Sequence, residues 1–232
     1  MKKAIVVFMV LLTLGTAAFA GGFSVRGGFV YDFVNLKSAE SADENPERQD
    51  SAKWRANSFG AEFGITYDFS DKFQIYADSS IGFFNKFMIG DTEIKRGDKD
   101  NMTFLSTSDH VGIAFNIELA DSLDLHVGGG LAFESARIAA SKTVGDTTER
   151  METGIFALGV GLYGDLDYKI SDRFAICATV HPDLMFLSGD NIETTTSQVH
   201  DKTVESVIYS WTTFGGVVSF KFTASVGAKF MF

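Results

Sequence analysis

The sequence predicts an all-β fold in which eight antiparallel strands form an up-and-down barrel. Eight segments carry apolar side chains at every second position, which is the period of a β-strand. Only 2 prolines stand against 23 phenylalanines and 23 glycines, and this composition favours strands over helices or disorder. After the first residues, no segment has the ~18 continuous apolar residues of a membrane-spanning helix.

The first 20 residues have the layout of a secretory signal peptide. Two lysines precede a short apolar stretch, and the small residues of "TAAFA" suit a cut after Ala20. The predicted organisation is therefore a cleaved signal peptide, residues 1–20, followed by one barrel domain, residues 21–232. A retained membrane anchor is the alternative, but the apolar run is short and glycines follow it directly.

The predicted mature chain is acidic and holds one cysteine. The whole sequence has a formal net charge of −10, and removal of the two signal-peptide lysines takes it to −12. So acidic a chain is a poor candidate for binding nucleic acid. Cys177 cannot form an internal disulfide, and we interpret it as a small side chain that fills space in the lumen.

The eight alternating runs follow one another along the whole mature chain. In the first run, for example, Phe23, Val25, Phe29, Tyr31 and Phe33 lie on one face. The last run ends in "SVGAKFMF", which a frayed tail would not contain. The runs cover residues 22–34, 58–69, 73–84, 110–119, 123–133, 155–168, 174–184 and 214–232.

The connections alternate between short and long. Three are tight and place an Asp beside a Ser, in "FSDKF", "LADSL" and "YKISDRF", which is the chemistry of hairpin turns. Strict interleaving puts all short turns at one end of the barrel and all long loops at the other. This predicts three short periplasmic turns and four long external loops. The long connections are residues 37–57, 87–107, 138–152 and 187–209.

Alternation alone leaves two orientations open, and three observations favour a transmembrane barrel over a secreted barrel with an apolar ligand cavity. Aromatic residues recur ten residues apart, and ten residues of tilted strand rise roughly 25 Å, the height of a lipid-facing band. An eight-stranded lumen is too narrow for so many apolar side chains. The opposite face is instead rich in glycine. The aromatic pairs are Phe23–Phe33, Phe59–Phe69, Phe73–Phe83 and Phe222–Phe232.

Together, the signal peptide, eight strands, Asp-containing turns and terminal Phe resemble the small eight-stranded bacterial outer-membrane barrels. This group includes the membrane domain of OmpA, OmpX and OmpW. The resemblance implies localisation in the outer membrane and contact with its lipid. It also implies that the barrel-assembly machinery recognises the C-terminal strand, and Phe222, Phe230 and Phe232 match the expected assembly signal.

The face opposite the apolar one carries an excess of acidic residues over basic ones. Buried charges are costly unless they are paired, so we expect a charge network in the lumen. The acids expected nearest mid-barrel are Glu62, Asp78, Asp165 and Asp183, with Arg26 and Lys221 as their candidate partners. Further lumen-facing charges are Asp32, Asp68, Glu118, Asp124, Glu134, Asp167 and Lys229. Four of these acids lie beside the turns, where we expect them to be in water: Asp68, Glu118, Asp124 and Asp167.

Two functions are compatible with such a lumen. The first is porin-like or OmpW-like passage of small solutes through a narrow acidic pore, since unmatched acids favour cations. The alternative is a closed structural or adhesive barrel, similar to OmpX or OmpA, which acts through its external loops. The predicted partner beyond lipid and assembly machinery is therefore a small solute or a surface ligand.

The sequence predicts no enzyme, no cofactor and no metal site. His126 and His181 face the lumen, and His181 shares its face with Asp183 and lies close in sequence to Ser188. No motif accompanies these residues, so we interpret the histidines as hydrogen-bonded lumen residues rather than catalytic ones. Pro182 is expected near the loop end of its strand, where a lost ladder bond costs least.

Overall fold

The described residues of the computed structural model form ten β-strands, of which eight close into a barrel. No helix in the described part of the chain is long and apolar enough to cross a membrane. The structure describes residues 22–37, 53–89, 92–95, 101–144, 147–198, 201–212 and 219–232. The predicted signal peptide, residues 1–20, lies outside these ranges.

The strands follow the order of the alternating runs, with two short additions. β4 pairs with β3, and β9 pairs with β8, so both stand outside the ring of eight. The strands are β1 (Phe23–Lys37), β2 (Lys53–Ser70), β3 (Phe73–Ile89), β4 (Thr92–Lys95), β5 (Asn101–Ala120), β6 (Leu123–Val144), β7 (Thr147–Ser171), β8 (Phe174–Gln198), β9 (Asp201–Thr212) and β10 (Ser219–Met231).

The barrel is closed by antiparallel pairing of the first strand with the last. β10 pairs with β1 from Ser24↔Met231 to Asn35↔Phe220, and its other side pairs with β8. The amide of Phe232 also donates to the carbonyl of Phe23 at 3.0 Å. Closure gives the backbone groups of the ring a partner, which a strand needs in hydrocarbon. The predicted all-antiparallel, eight-stranded up-and-down barrel is confirmed.

Burial is inverted relative to a water-soluble barrel. The side chain of Phe29 is 85% exposed, whereas Arg26 and Lys221 are 3% and 0% exposed. Along β10 the alternation runs from buried Ser219 through exposed Phe220 to buried Lys221. The predicted assignment of alternate side chains to the two faces is therefore correct, with the apolar face outward toward lipid and the polar face inward.

Aromatic rings form a girdle at the turn end of the barrel. Phe23 and Phe232 have ring centroids 5.7 Å apart, and Phe73 contacts both Phe69 at 6.1 Å and Phe115 at 5.3 Å. Rings also meet near the other edge of the lipid-facing band, where β1 and β2 contribute them. Tyr31 and Phe59 lie 5.1 Å apart there.

The strands extend much further into the predicted long loops than expected. Most of the predicted loop 138–152 is a hairpin of β6 and β7, and pairing continues to Val144↔Thr147. Thr and other residues with strand propensity occupy these polar segments, so their polarity hid their β-structure. The expected place of Pro182 was also wrong, because β8 continues from Pro182 to Gln198 and thus far beyond it.

A buried charge network in the lumen

The six charged residues expected near mid-barrel all lie buried on the inner wall. They come from six different strands, so the lumen brings together side chains that are far apart in sequence. All six are between 0% and 6% exposed. They are Arg26 on β1, Glu62 on β2, Asp78 on β3, Asp165 on β7, Asp183 on β8 and Lys221 on β10.

Arg26 is the centre of the first cluster. Its guanidinium lies 3.1 Å from Glu62, 2.5 Å from Asp78 and 3.3 Å from Asp165. It also donates to the hydroxyl of Thr179 at 2.6 Å. One cation thus links four other strands through planar, multi-donor geometry, for which a lysine has no equivalent.

Glycine on the inner wall makes room for this cluster. A Cβ at Gly64 would overlap the Asp78 carboxylate and the Arg26 side chain, and a Cβ at Gly161 would overlap the Asp183 carboxylate. The glycine-rich face predicted from the sequence therefore accommodates the charged side chains of neighbouring strands. Strand positions without a side chain often mark such close approaches.

Toward the turn end, Lys229 extends the network. Its ammonium lies 2.6 Å from Asp167 and 3.3 Å from Asp165. His126 hydrogen-bonds to Asp167 at 3.1 Å and to Asn116 at 2.9 Å. Potential metal-ligand atoms of His126, Asp165 and Asp167 lie within 4.8 Å of one another. The ammonium of Lys229 contacts both carboxylates, so the donor set has a protein cation where a metal would bind.

Lys221 is the centre of a second cluster nearer the external end. Its ammonium lies 2.8 Å from Glu134 and 3.9 Å from Asp32, and it also contacts the hydroxyl of Ser108. Asp32 in turn accepts a hydrogen bond from Thr223 at 2.7 Å. The mid-barrel acids were the candidate partners of Lys221, but its ion-pair partners are Glu134 and Asp32.

Two stacked aromatic pairs lie between the clusters. His110 and His181 stack with centroids 4.0 Å apart, and Tyr76 stacks on Tyr163 at 3.9 Å. The structure pairs His110 with Asp183 at 2.8 Å, and His181 with Asp78 at 3.2 Å.

Sequence reasoning overlooked His110 as a lumen residue. Its position directly before the outward-facing Val111 carried the signal, because adjacent residues of a strand face opposite sides. His181 is not oriented by Asp183, although both lie on the inner wall. The side chain of Ser188 lies outside the described part of the structure. Cys177 is buried on the same wall.

The buried charges of the described residues do not balance. Seven carboxylates are buried against three cations, with three histidines beside them. The predicted acidic excess of the lumen therefore persists after pairing. Of the four acids expected in water beside the turns, Asp68 and Glu118 are exposed and Asp124 is half-buried. The expectation is wrong for Asp167, which is 3% exposed because it pairs with Lys229 inside the barrel.

The three residues of the expected assembly signal lie on the outer face of β10 and at its end. Phe230 and Phe232 are 41% and 56% exposed, and their rings are 5.0 Å apart. Phe222 pairs with Phe33 on β1 and Pro182 on β8, toward the external end. Two aromatic side chains thus mark the turn end of the closing strand.

No protein-family model matches the chain, and a search of curated proteins found no match. Solved structures do match. OprG from Pseudomonas aeruginosa has a TM-score of 0.54 at 12% identity, covering 91% of this chain and 96% of that one. A major outer membrane protein from Thermus thermophilus has a TM-score of 0.51 at 9% identity, covering 90% of this chain and 99% of that one.

Neisserial surface protein A is also similar, with a TM-score of 0.48 at 11% identity, covering 91% of this chain and 97% of that chain. At these identities the likeness concerns the fold. The chain has the fold of the small outer-membrane β-barrels, as its closing strand and terminal aromatic residues predicted. Its apolar outer face and closed ring make it an integral protein of the outer membrane.

Proposed function

We propose that this protein is a closed outer-membrane barrel that acts through its external segments, as a structural or adhesive surface protein. The observation that carries the proposal is the filled lumen. The cations Arg26, Lys221 and Lys229 are 3%, 0% and 3% exposed. Arg26 and Lys221 each bridge carboxylates from two or more strands, and Lys229 bridges two carboxylates of β7. A passing ion would have to separate these pairs, and uncompensated buried charges are costly.

Apolar side chains support the same proposal at the external end. Phe84, Ile138, Ile155 and Met185 are between 1% and 3% exposed on the inner wall and belong to one buried cluster. An apolar constriction is a barrier to ions because it excludes water. The lumen is thus filled by ion pairs along its middle and by apolar side chains above them.

The extended hairpins supply a surface on which the proposed activity can reside. The segment from Leu158 to Tyr168, ten residues apart, spans the lipid-facing band. On the external side of Leu158, β7 extends a further 11 residues to Thr147. That segment pairs with β6 on one side and β8 on the other, and β9 adds to β8. Strand residues rise about 3.3 Å each, so this sheet stands tens of ångströms beyond the band. Its partner would be a surface ligand.

Ion conductance tests the closed lumen. Refolded protein without the predicted signal peptide is placed in planar bilayers, and folding is verified by its gel shift on heating. We expect no steady conductance. Glu62→Gln combined with Asp78→Asn removes two acids from the cluster and serves as the matched variant. Steady cation-selective current in the parent that falls in this variant would contradict a closed lumen.

A porin-like passage of small solutes is the second candidate, and one observation favours it. Buried polar atoms remain without a hydrogen-bond partner in the described part of the chain, among them Oδ1 of Asp183, Oδ1 of Asp167 and Nε2 of Gln74. Such atoms are commonly satisfied by internal water. If the acidic excess holds a continuous file of water, the same bilayer experiment detects it as cation-selective current.

We also propose that the C-terminal strand is the signal for the barrel-assembly machinery. The exposed rings of Phe230 and Phe232 support this, since they face outward from the strand that closes the ring. Both remain accessible on the closed barrel, and they would be accessible before closure as well. A test is described in the Discussion.

A further inference from the structure

One carboxylate lies on the wrong face of the barrel. Asp109 is exposed on the outer wall of β5, directly opposite Ser79 of β3 and Phe133 of β6. Among the described residues it makes no ion pair. Its neighbours on the same face of β5 include Val111 and Ile113, which are 42% and 54% exposed to the lipid side. An unpaired acid beside lipid-facing residues offers its charge to a cationic partner that approaches from the membrane surface.

The height of Asp109 follows from the strand geometry. It is ten residues from the exposed Leu119, which lies at the turn end of β5. Ten residues of tilted strand rise roughly 25 Å, so the carboxylate lies at the external edge of the lipid-facing band. Phe133 is likewise ten residues from Leu123 on β6. A charged head group can reach this level while an attached apolar body stays in lipid.

Asp109 lies in a groove of about 320 Å³ that aromatic residues flank. Phe63, 58% exposed, lines one side beyond Ser79, and Phe133 lines the other side. The combination of one carboxylate with two aromatic rings favours an ammonium group, through ion pairing and cation–π attraction. The volume lies at the lower end of the range for small-molecule sites.

A second, larger depression continues from this groove into the lipid-facing band. It measures about 820 Å³ and shares Val111 as a lining residue with the first. Gly129 lines it where the outward face of β6 lacks a side chain, between Ile113 of β5 and Leu162 of β7. Pro182 of β8 also lines it. The depression is apolar and deeper in the band than Asp109, so it suits a hydrocarbon chain.

We propose that the outer wall binds an amphiphilic ammonium compound, with its head at Asp109 and its aliphatic chain in the depression lined by Gly129. The charge of the carboxylate selects the head, and the missing side chain at Gly129 accommodates the chain. The proposed contacts are with the outward-facing Asp109 and with the strand at Gly129, although Asp78 and His110 of the inner wall also line the groove. The site therefore stands independently of whether the lumen is open or closed.

Fluorescence quenching in vesicles tests the site. Val127→Trp places a reporter beside the depression without filling it, in a background where Trp54 and Trp211 are changed to Phe. The vesicles are phosphatidylcholine with small amounts of dibromo-octadecylamine or of dibromo-octadecanol, which has the same chain without the charge. We expect the amine to quench at about fivefold lower concentration than the alcohol, as an ion pair with cation–π support would produce. Asp109→Asn should abolish this preference, whereas Glu118→Gln, the same charge change at the turn end, should keep it.

A second variant tests the chain-binding part. Gly129→Leu fills the depression from the lipid side, so it should weaken quenching by the amine while leaving the barrel folded by its gel shift. Equal quenching by amine and alcohol would overturn the proposal. So would a preference for the amine that survives Asp109→Asn or that Glu118→Gln removes equally, because the preference would then reflect only the net negative charge of the protein.

Discussion

Arg26 is expected to contribute more to stability than any exposed cation of the barrel. Arg26→Met removes the guanidinium that lies 3.1 Å from Glu62, 2.5 Å from Asp78 and 3.3 Å from Asp165. The methionine keeps much of the side-chain volume, so the main loss is the charge. Removal of one partner from a buried ion pair costs ~3–5 kcal/mol, because the remaining charge is left uncompensated. We expect a loss of this size in the free energy of unfolding.

The chain offers a matched control at the same ion-pair distance. Arg137 and Glu152 are also 2.5 Å apart, but the Arg137 side chain is 59% exposed. Exposed pairs contribute about 0–1 kcal/mol, so Arg137→Met should have a small effect. Urea unfolding of the refolded barrel, followed by tryptophan fluorescence and by the gel shift on heating, measures both variants. A loss for Arg26→Met no larger than that for Arg137→Met would refute the importance of burial.

A compensated variant separates charge from packing. Arg26→Met combined with Glu62→Gln and Asp78→Asn removes the cation together with two of its acids, while Asp165 keeps Lys229 at 3.3 Å. Replacement of a whole buried ion-pair group by neutral side chains is often close to neutral in stability. Most of the lost stability should therefore return. If the triple variant is as unstable as Arg26→Met alone, the loss of stability comes from lost packing and not from unpaired charge.

Two further predictions concern the wall and its closing strand. Gly161→Ala directs a methyl group at the Asp183 carboxylate, and such overpacking should lower the free energy of unfolding in urea by about 1–3 kcal/mol. The control is Gly27→Ala, which should lower it much less because its Cβ would meet its nearest atom at 3.8 Å. Equal losses of stability in the two variants would show that the inner wall rearranges to accommodate the added methyl group. Phe232→Ala should remove about 1 kcal/mol of aromatic contact with Phe23 in refolding assays, yet sharply reduce the amount of barrel in the outer membrane of cells. Normal assembly in cells would contradict a role as the recognition signal.

Side-chain alternation predicted the faces of the wall, but it could not predict the partners across the lumen. The alternation of side chains along each strand was enough to place Arg26 and Lys221 in the lumen with the acids. Which acid meets which cation depends on strand register and on the stagger of the closed ring, and neither is encoded in a local pattern. Thus Lys221 pairs with Glu134, which was expected only as a further lumen charge. The functional role of the six mid-barrel residues stays a prediction.

The ends of the strands were less predictable than their middles for a related reason. Within the lipid-facing band, the contrast between apolar and polar faces makes a strand visible in the sequence. Beyond the band both faces meet water, so segments such as Thr194–Thr196 carry no alternation although they pair with β7. The loop prediction for 187–209 rested on this polarity. The structure instead continues β8 to Gln198 and adds β9.

Two adjacent polar residues of β5 face opposite sides of the barrel wall and have different surroundings. His110 points inward, where it bonds to Asp183 and stacks on His181. Asp109 points outward, where no cation among the described residues faces it. Each buried inward acid has a cation or a histidine beside it, so it belongs to the buried network of the lumen. Asp109 is not part of this network, because its carboxylate faces the edge of the lipid-facing band. The carboxylate on the outer wall is therefore better explained by a ligand with a positive charge than by the fold.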